Sequence, residues 1–160
     1  MRTIKFDRMF SPLSETELEV LEENLRIRLP QDYRDFLKAT NGGQPAECNN
    51  YLGIENTIPG GNSDVAYFFN GVTVDDDELS LAHNVKLYRD RICSDLMPIA
   101  MDSFGNLILL KIQGERIGSI FFWDHEDELA IDGSQNEHNV YPIFSRFCDL
   151  LDGLREEPTE

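Results

Sequence analysis

The densest group of chemically capable side chains lies at residues 123–127, which read Trp-Asp-His-Glu-Asp. His125 among these carboxylates could act as a general base or a metal ligand. The spacing argues against a metal, because helical zinc sites place His at i and i+4, and calcium loops need alternating oxygen ligands with a Gly and a terminal Glu. His83 and His138 are isolated in the sequence. We therefore predict no metal site. An enzyme centred on His125 remains a hypothesis, but it is less favoured than the two binding functions considered below.

Nucleophilic catalysis is also not indicated. A catalytic Ser or Cys needs a neighbouring base and ideally a strained Gly-x-Ser-x-Gly turn. The nearest candidates, Ser103 and Ser134, lack that frame. The glycine pairs at 42–43 and 60–61 match neither a phosphate loop nor a dinucleotide fingerprint. We predict no catalytic residue and no cofactor, and we expect these glycines to form turns and caps.

Charge indicates binding instead. The chain carries 14 basic and 30 acidic residues, a net charge of −16, which disfavours nucleic acid because phosphate binding needs clustered Lys and Arg. Two acidic runs are predicted to contact a basic protein partner: Asp75, Asp76, Asp77 and Glu78 form the first, and Asp124, Glu126 and Asp127 form the second. If both lay at one edge of a sheet, their fields would add and speed the encounter. The alternative is that both are solvated loops that only keep the protein soluble.

Trp123 directly precedes the second acidic run, at the predicted end of a strand. A Trp in this position usually packs in the core, but a Trp beside charged loops is also the type of residue that anchors an interface. We include Trp123 among the predicted contact residues, with a core position as its alternative.

The chain's length and composition favour a single domain. Its 160 residues fit one domain, and no stretch rich in Pro, Gly and Ser divides them, so we predict one domain over residues 1–160. The cysteines at 48, 93 and 148 are odd in number and far apart, which indicates neither a disulfide framework nor a zinc site. No secretory signal and no apolar stretch approaching 18 residues is present, so we expect a cytoplasmic protein without membrane contact.

The N-terminal part predicts a pair of helices. Ser14 and Glu17 have the spacing of a capping box and begin a helix from about residue 15 to residue 27. Pro30 can open the next helix, because its fixed φ and missing N–H suit a first helical position. The Asn-Gly-Gly sequence at 41–43 ends that helix. A third helix is predicted from Leu81, Val85, Tyr88 and Ile92, and a closing helix from a stripe comprising Ile143, Phe144, Phe147, Leu150, Leu151 and Leu154.

The clearest strands lie at 97–101, 107–112 and 119–123, separated by short polar turns that contain Gly. This pattern predicts an antiparallel meander, and weaker apolar runs at 51–54 and 66–69 read as further strands. We therefore predict an α+β fold in which an N-terminal helical pair, a middle helix and a C-terminal helix pack on a mixed, mainly antiparallel sheet.

Two motifs in this order resemble the SUKH superfamily, the Smi/Knr-type domain. The first is the Leu-Pro-x-x-Tyr sequence containing Pro30 and Tyr33, followed by an apolar pair and then Asn41, Gly42 and Gly43. The second runs from Pro98 to Asn106 with Asp102 and Gly105, and continues through Gly118 to the run at 120–126. The likeness spans about residues 13–152.

The resemblance implies an α+β domain without catalytic residues, of a kind found widely in bacteria as immunity proteins. Its implied partner is a protein toxin, such as a basic nuclease, whose cleft an acidic protein could cover by mimicking the charge of nucleic acid. The second hypothesis is a regulatory scaffold without a toxin partner, like the fungal members. Residues 44–78 match no part of the family pattern, and toxin specificity would reside in such a variable segment.

Overall fold

The computed structural model describes residues 4–46, 51–54, 58, 64–72, 74–127 and 138–156, and it describes residues 64–67 by their backbone. Within these ranges the helices are α1 (Glu15–Leu25), α2 (Gln31–Ala39), α3 (Leu81–Leu87) and α4 (Phe147–Gly153), with a 3-10 turn at Asp77–Leu79. The strands are β1 (Phe6–Met9), β2 (Gly43–Pro45), β3 (Tyr51–Leu52), β4 (Asp64–Phe69), β5 (Leu96–Asp102), β6 (Leu107–Lys111), β7 (Ile120–Trp123), β8 (Val140–Phe144) and β9 (Leu154–Arg155). This content confirms the predicted α+β class.

The main sheet has the strand order β1-β2-β4-β5-β6-β7-β8, while β3 pairs with β4 and β9. All of these pairs are antiparallel, and an isolated parallel bridge joins Gly71 to Ser80. In the centre, Met97 faces Leu110, which in turn faces Ile120. The predicted meander therefore corresponds to β5, β6 and β7.

Apolar side chains cover both faces of the central strands. Ile99 and Phe122 belong to the main core, to which all four helices contribute. Leu107 and Trp123 point to the opposite face, where Ile92 in the connection from α3 to β5 packs against them. Strands buried on both faces read as nearly continuous apolar runs, which is the pattern that the sequence shows here.

The capping box at the start of α1 is present as predicted. Ser14 Oγ accepts a hydrogen bond from the Glu17 N–H at 3.3 Å, and the Glu17 carboxylate accepts one from the Ser14 N–H at 2.8 Å. The helix ends at Leu25, two residues before the predicted end, because Arg26 takes the left-handed conformation with φ 55°.

The predicted start of the closing helix was wrong. Ile143 and Phe144 lie in β8, and α4 begins only at Phe147. Pro142 lacks an N–H, and β8 tolerates it because this strand lies at the end of the strand order. The apolar residues mimic one helical stripe because the strand and the helix both pack against the main core.

A buried ion pair joins α1 to α2. The Arg34 side chain is only 3% exposed and pairs with Glu15 and Glu22, and Glu22 also accepts the Leu29 N–H at 2.7 Å. Burial opposes the ionisation of Glu22, but the hydrogen bonds from Arg34 and Leu29 and the charges of Arg34 and Arg28 outweigh it, so the pKa of Glu22 lies below its ordinary value. Each helix in the described ranges is too short or too polar to cross a lipid bilayer.

Candidate interaction surfaces

The first acidic run, Asp75 to Glu78, lies between β4 and α3, and its side chains are exposed. Asp76 accepts the Glu78 N–H at 3.2 Å and so caps the 3-10 turn. Beneath the turn, Nδ2 of the buried Asn84 lies 2.9 Å from the Glu78 carbonyl oxygen and 3.0 Å from the Ser80 carbonyl oxygen. The backbone of this run is therefore fixed while its carboxylates face solvent.

Asn70 ties this turn to the sheet. Its Nδ2 donates to the Pro98 carbonyl oxygen at 2.9 Å, and its Oδ1 accepts from Asn84 Nδ2 at 3.2 Å. Both asparagines are almost fully buried, with exposures of 0% and 1%. An amide suits such a site, because it donates and accepts without carrying a charge that burial would penalise.

The Asn-Gly-Gly motif supports the first run from the side of α2. Asn41 Nδ2 donates to the Val72 carbonyl oxygen, and its Oδ1 accepts the Val72 N–H, both at 2.8 Å. Gly42 has φ 80°, and a Cβ there would lie 2.6 Å from two backbone carbonyl oxygens. A Cβ on Gly43, which has φ 126°, would lie 2.2 Å from the Arg8 carbonyl oxygen. At this motif the backbone therefore packs closely against the ends of β1 and β4, and a side chain at either glycine would push these segments apart.

The second acidic run follows β7, with Glu126 and Asp127 exposed and Asp124 half-buried. Asp124 accepts the Glu126 N–H at 2.9 Å, which turns the chain. The fully buried Asn139 holds the start of the run, because its Nδ2 donates to the Asp124 carbonyl oxygen at 2.7 Å and its own carbonyl oxygen accepts the Asp124 N–H at 3.0 Å.

The turn between β5 and β6 buttresses this second run. Asp102 accepts the N–H groups of Phe104 and Asn106, each at 2.8 Å, and the Asn106 side-chain amide at 2.7 Å. Asn106 Oδ1 accepts the His125 N–H at 3.0 Å and lies 2.7 Å from His125 Nδ1. Gly105 has φ 97°, and a Cβ there would meet the His125 ring at 3.7 Å, an ordinary contact. These bonds connect the turn to the acidic run as one unit.

Phe104 at the tip of this turn is 64% exposed. Phe104 was not among the predicted contact residues, although an aromatic residue between Ser103 and Gly105 in a polar turn indicates an exposed apolar side chain. The structure therefore places an aromatic ring on the same hydrogen-bonded unit as the second acidic run.

The two acidic runs do not form one face. In the antiparallel order, β4 leads into the first run at one end of the sheet, and β7 leads into the second run at the other end. Between them lie β5 and β6, so β4 and β7 are three strand spacings apart, about 14 Å at about 4.8 Å per spacing. The Debye length is about 8 Å at physiological ionic strength. The expectation that both fields add at one edge is thus corrected.

Trp123 also requires a correction as a predicted contact residue. Its side chain is 1% exposed, and its ring packs edge-on against Tyr88 at 5.8 Å between centroids. The Arg91 guanidinium covers the ring at 5.1 Å. Trp123 lies in the core because the connection between α3 and β5 covers that face of the sheet, so it supports the second acidic run from beneath and does not reach a partner.

The remaining motif residues also lie at contacts within the fold. Pro30 is the N-cap of α2, so the helix starts one residue after the predicted position, and a Cβ on Gly118 would lie 3.5 Å from the Pro30 ring. Tyr33 is fully buried, with its ring 4.9 Å from that of Phe147, and burial raises the pKa of its hydroxyl.

The three histidines lie on different elements, with His83 in α3, His125 in the segment after β7 and His138 just before β8. His83 Nδ1 lies 4.0 Å from an Asp77 oxygen, and His138 Nε2 lies 2.6 Å from the Asp127 carbonyl oxygen. Across the residues that the structure describes, no three His, Cys, Asp or Glu side chains come together as a metal site would require. Cys48 and Ser134 lie outside the described residues.

Comparison with known proteins identifies the family. A curated relative, the SPbeta prophage-derived uncharacterized protein YokK of Bacillus subtilis (strain 168), is 29% identical over 175 aligned residues, which cover 99% of this chain and 83% of the relative. The model of the SMI1 / KNR4 family (SUKH-1) matches residues 12–153, so both motifs and the closing helix lie within the matched region. The chain therefore belongs to the SMI1 / KNR4 family (SUKH-1).

Proposed function

We propose that this protein is an immunity-type binding protein that neutralises a cognate bacterial toxin by protein–protein contact. The observation that carries the proposal is the family match over residues 12–153, because SUKH domains are known as immunity-type proteins. In this proposal the protein acts in the cytoplasm and binds its partner without catalysing a reaction.

We place the principal contact at the surface formed by the second acidic run and Phe104, which we call the hairpin-end surface. Protein interfaces commonly combine an aromatic anchor with a rim of polar and charged groups. Here Phe104 supplies the exposed ring, and Asp124, Glu126 and Asp127 supply negative charge beside it. The hydrogen bonds of Asp102 and Asn106 hold both parts in place, which reduces the entropy lost on binding.

The chemistry of this surface fits a basic toxin such as a nuclease. An enzyme that binds nucleic acid presents Lys and Arg around its cleft, and fixed carboxylates can occupy the positions that phosphates would take. The first acidic run, at the other end of the sheet, serves in this proposal as a separate area that speeds the encounter through its field.

The direct test is affinity capture of the tagged protein from its native host, with mass spectrometry of whatever remains bound through a salt wash. We expect one toxin domain in stoichiometric amount. That protein is then produced in a bacterial host with and without this chain, and we expect growth to stop without it and to resume with it.

Two variants of Phe104 and one control sharpen this test. Phe104→Ala and Phe104→Asp should keep the fold, because the ring is exposed, and both should weaken capture. Asn24→Ala, at an exposed position of α1, should change nothing. Recovery of several housekeeping proteins would favour the scaffold hypothesis, and a captured toxin against which the chain gives no protection would contradict the proposal.

A further inference from the structure

A small pocket of about 230 Å³ opens over β7 and β8, on the face of the sheet to which Trp123 points. Ser119 and Phe121 share this face because side chains alternate along an extended segment, and Pro142 pairs directly with Phe121. The described lining has three polar residues, Arg116, Ser119 and Ser145, and apolar residues that include Phe121, Pro142 and Phe144. The pocket lies at the end of the sheet that carries the turn between β6 and β7, opposite the hairpin-end surface.

The hydroxyl of Ser119 is a largely buried polar group without a partner. Ser119 is only 8% exposed, so most of its side chain is withdrawn from water. Within the described residues its oxygen makes no hydrogen bond, and the fold does not seal this atom completely from solvent. A hydroxyl that loses most of its water without gaining a partner costs free energy, and a ligand that accepts its hydrogen would restore the bond. Ser119 therefore offers the pocket a hydrogen-bond donor.

Arg116 supplies an unpaired positive charge to the same pocket. Its guanidinium is exposed and makes no ion pair or hydrogen bond within the part of the chain that the structure describes. Lys111, opposite Ser119 in the ladder, pairs with Asp95, so its charge is already neutralised. The neighbouring Glu115 lies outside the described lining, which contains no carboxylate. The described lining thus combines an available cation, two hydroxyl groups and an apolar floor.

We propose that this pocket binds a carboxylate that is attached to a bulky apolar group. The Arg116 guanidinium pairs with the carboxylate, and the hydroxyls of Ser119 and Ser145 donate hydrogen bonds to its oxygens. The apolar body lies on Phe121 and Pro142. A planar guanidinium matches the two oxygens of a carboxylate. Because the volume lies below the usual range for ligand pockets, it suits one group the size of a side chain, such as a phenyl or branched alkyl group.

Charge favours a monocarboxylate over a phosphate. A carboxylate brings one negative charge to Arg116, whereas a phosphate dianion brings a second charge to a chain whose net charge is already −16. The apolar floor also gives no contact to inorganic phosphate. Such a carboxylate belongs either to a free acid or to the C-terminus of a chain that ends in an apolar residue. The ligand differs in charge from a basic toxin and binds at the other end of the sheet, so the inference is independent of the proposed function.

The test titrates the isotope-labelled full-length protein with hydrocinnamate and follows its backbone amide signals by NMR. We expect saturable shifts at residues 116–121 and 143–145, with a dissociation constant of about 1 mM for so small a probe. Hydrocinnamide has the same shape without the charge and should bind at least about tenfold more weakly. Acetyl-Gly-Gly-Phe with a free C-terminus separates the two sources. Tighter binding than that of hydrocinnamate assigns the pocket to a chain terminus, and weaker binding assigns it to a free acid.

Substitutions of the polar lining test the assigned contacts. Arg116→Asn removes the guanidinium and suits the left-handed backbone of this position, which has φ 56°. We expect it to weaken hydrocinnamate binding by about tenfold, and we expect Ser119→Ala to weaken it by about threefold. Ser119→Ala should leave the urea midpoint unchanged, because its hydroxyl has no bond to lose. Arg26→Asn is the matched control, since Arg26 is exposed at φ 55° but lies outside this pocket, and it should change binding by less than about twofold.

Ser145→Glu gives a further variant should Arg116→Asn fold poorly. It places a carboxylate at an exposed position of the lining and should abolish hydrocinnamate binding. Four results would overturn the proposal: no saturable shifts, shifts centred on another part of the chain, equal binding of hydrocinnamide, or binding that Arg116→Asn and Ser119→Ala both leave unchanged. Binding of inorganic phosphate in preference to hydrocinnamate would equally reject the apolar carboxylate.

Discussion

The two acidic runs carry similar charge, but different residues hold them in place. The first run stands on Asn70 and Asn84, which are buried in the centre of the fold and bond to the backbone of both the turn and β5. The second run also has a buried support, Asn139, and rests in addition on Asp102 and Asn106 in the turn between β5 and β6. The backbone of each run is therefore fixed, and the exposed carboxylates of both runs can vary at little cost to the core. The second run differs in that its supporting turn also carries the exposed ring of Phe104, so that one hydrogen-bonded unit presents negative charge and an aromatic ring together.

The largest difference between the two regions should appear at their glycines. Gly42→Ala would put a Cβ 2.6 Å from two backbone oxygens at φ 80°, whereas Gly105→Ala meets an ordinary contact at φ 97°. We expect Gly42→Ala to lose about 4 kcal/mol or more, or not to fold, and Gly105→Ala to lose about 1 to 2 kcal/mol from backbone strain. Urea unfolding measures both losses. Equal losses would contradict the conclusion that the backbone packs more closely around Gly42 than around Gly105.

The asparagines give the next largest effect. Asn84→Ala removes the side-chain hydrogen bonds to the Glu78 carbonyl oxygen and to the buried Asn70 Oδ1, so we expect a loss of about 3 kcal/mol. Asn106→Ala acts in a partly buried turn and should cost about 1 to 2 kcal/mol. Asn24→Ala is the control and should stay within about 0.5 kcal/mol. A larger loss of stability in Asn106→Ala than in Asn84→Ala would contradict this order.

Part of the loss of stability in acid should come from one buried carboxylate, Glu22. Glu22→Gln weakens the buried pair with Arg34, which keeps Glu15, so we expect a loss of about 2 to 3 kcal/mol near neutral pH. Because the folded pKa of Glu22 is lowered, its contribution is fully present above the unfolded value of about 4.3 and is lost as pH falls through the folded value.

The measurement for Glu22 is the free energy of unfolding between neutral and acid pH. We expect the wild type to lose stability below about pH 4.3 more steeply than Glu22→Gln. Glu23→Gln, on the exposed side of α1, is the matched control and should follow the wild type. Parallel curves for Glu22→Gln and the wild type would show that the buried pair does not contribute in this way.

The smallest effects on stability should come from the acidic side chains themselves. One triple variant neutralises each run, and each should shift stability by less than about 0.5 kcal/mol. The first set combines Asp75→Asn, Asp76→Asn and Asp77→Asn, and the second set combines Asp124→Asn, Glu126→Gln and Asp127→Asn. With the captured partner, both should slow association and flatten its salt dependence, and the second set should act more strongly because it lies beside Phe104. Stopped-flow mixing at several salt concentrations measures this, and a stronger effect of the first set would reverse the comparison.

Local signals predicted much of the fold. The capping box of Ser14 and Glu17 and the meander of β5 to β7 are patterns of neighbouring residues, and the structure has both. The strands β1 and β2 were not predicted, since each is short and pairs with distant chain. Helix α3 ends at Leu87 rather than continuing to Ile92, because the residues that follow turn over the second face of the sheet.

The candidate surfaces were harder to predict from the sequence than the fold. It shows which residues are acidic, but the end of the sheet at which each run lies follows from strand order, which depends on pairing across the whole chain. Trp123 looked like a possible anchor because its neighbours are charged, and only the packing of Tyr88 and Arg91 over its ring shows that it is buried. Phe104 needs the turn geometry before its exposure is evident.

The most direct test of the central claim is a growth measurement on cells that produce the captured toxin together with one variant of this protein. We expect the wild type and the variant of the first acidic run to restore growth, and we expect a variant that combines Phe104→Asp with the second-run substitutions to fail although it folds and accumulates normally. Full protection by that variant would contradict the hairpin-end surface as the contact, and absence of protection by the wild type would contradict toxin neutralisation itself.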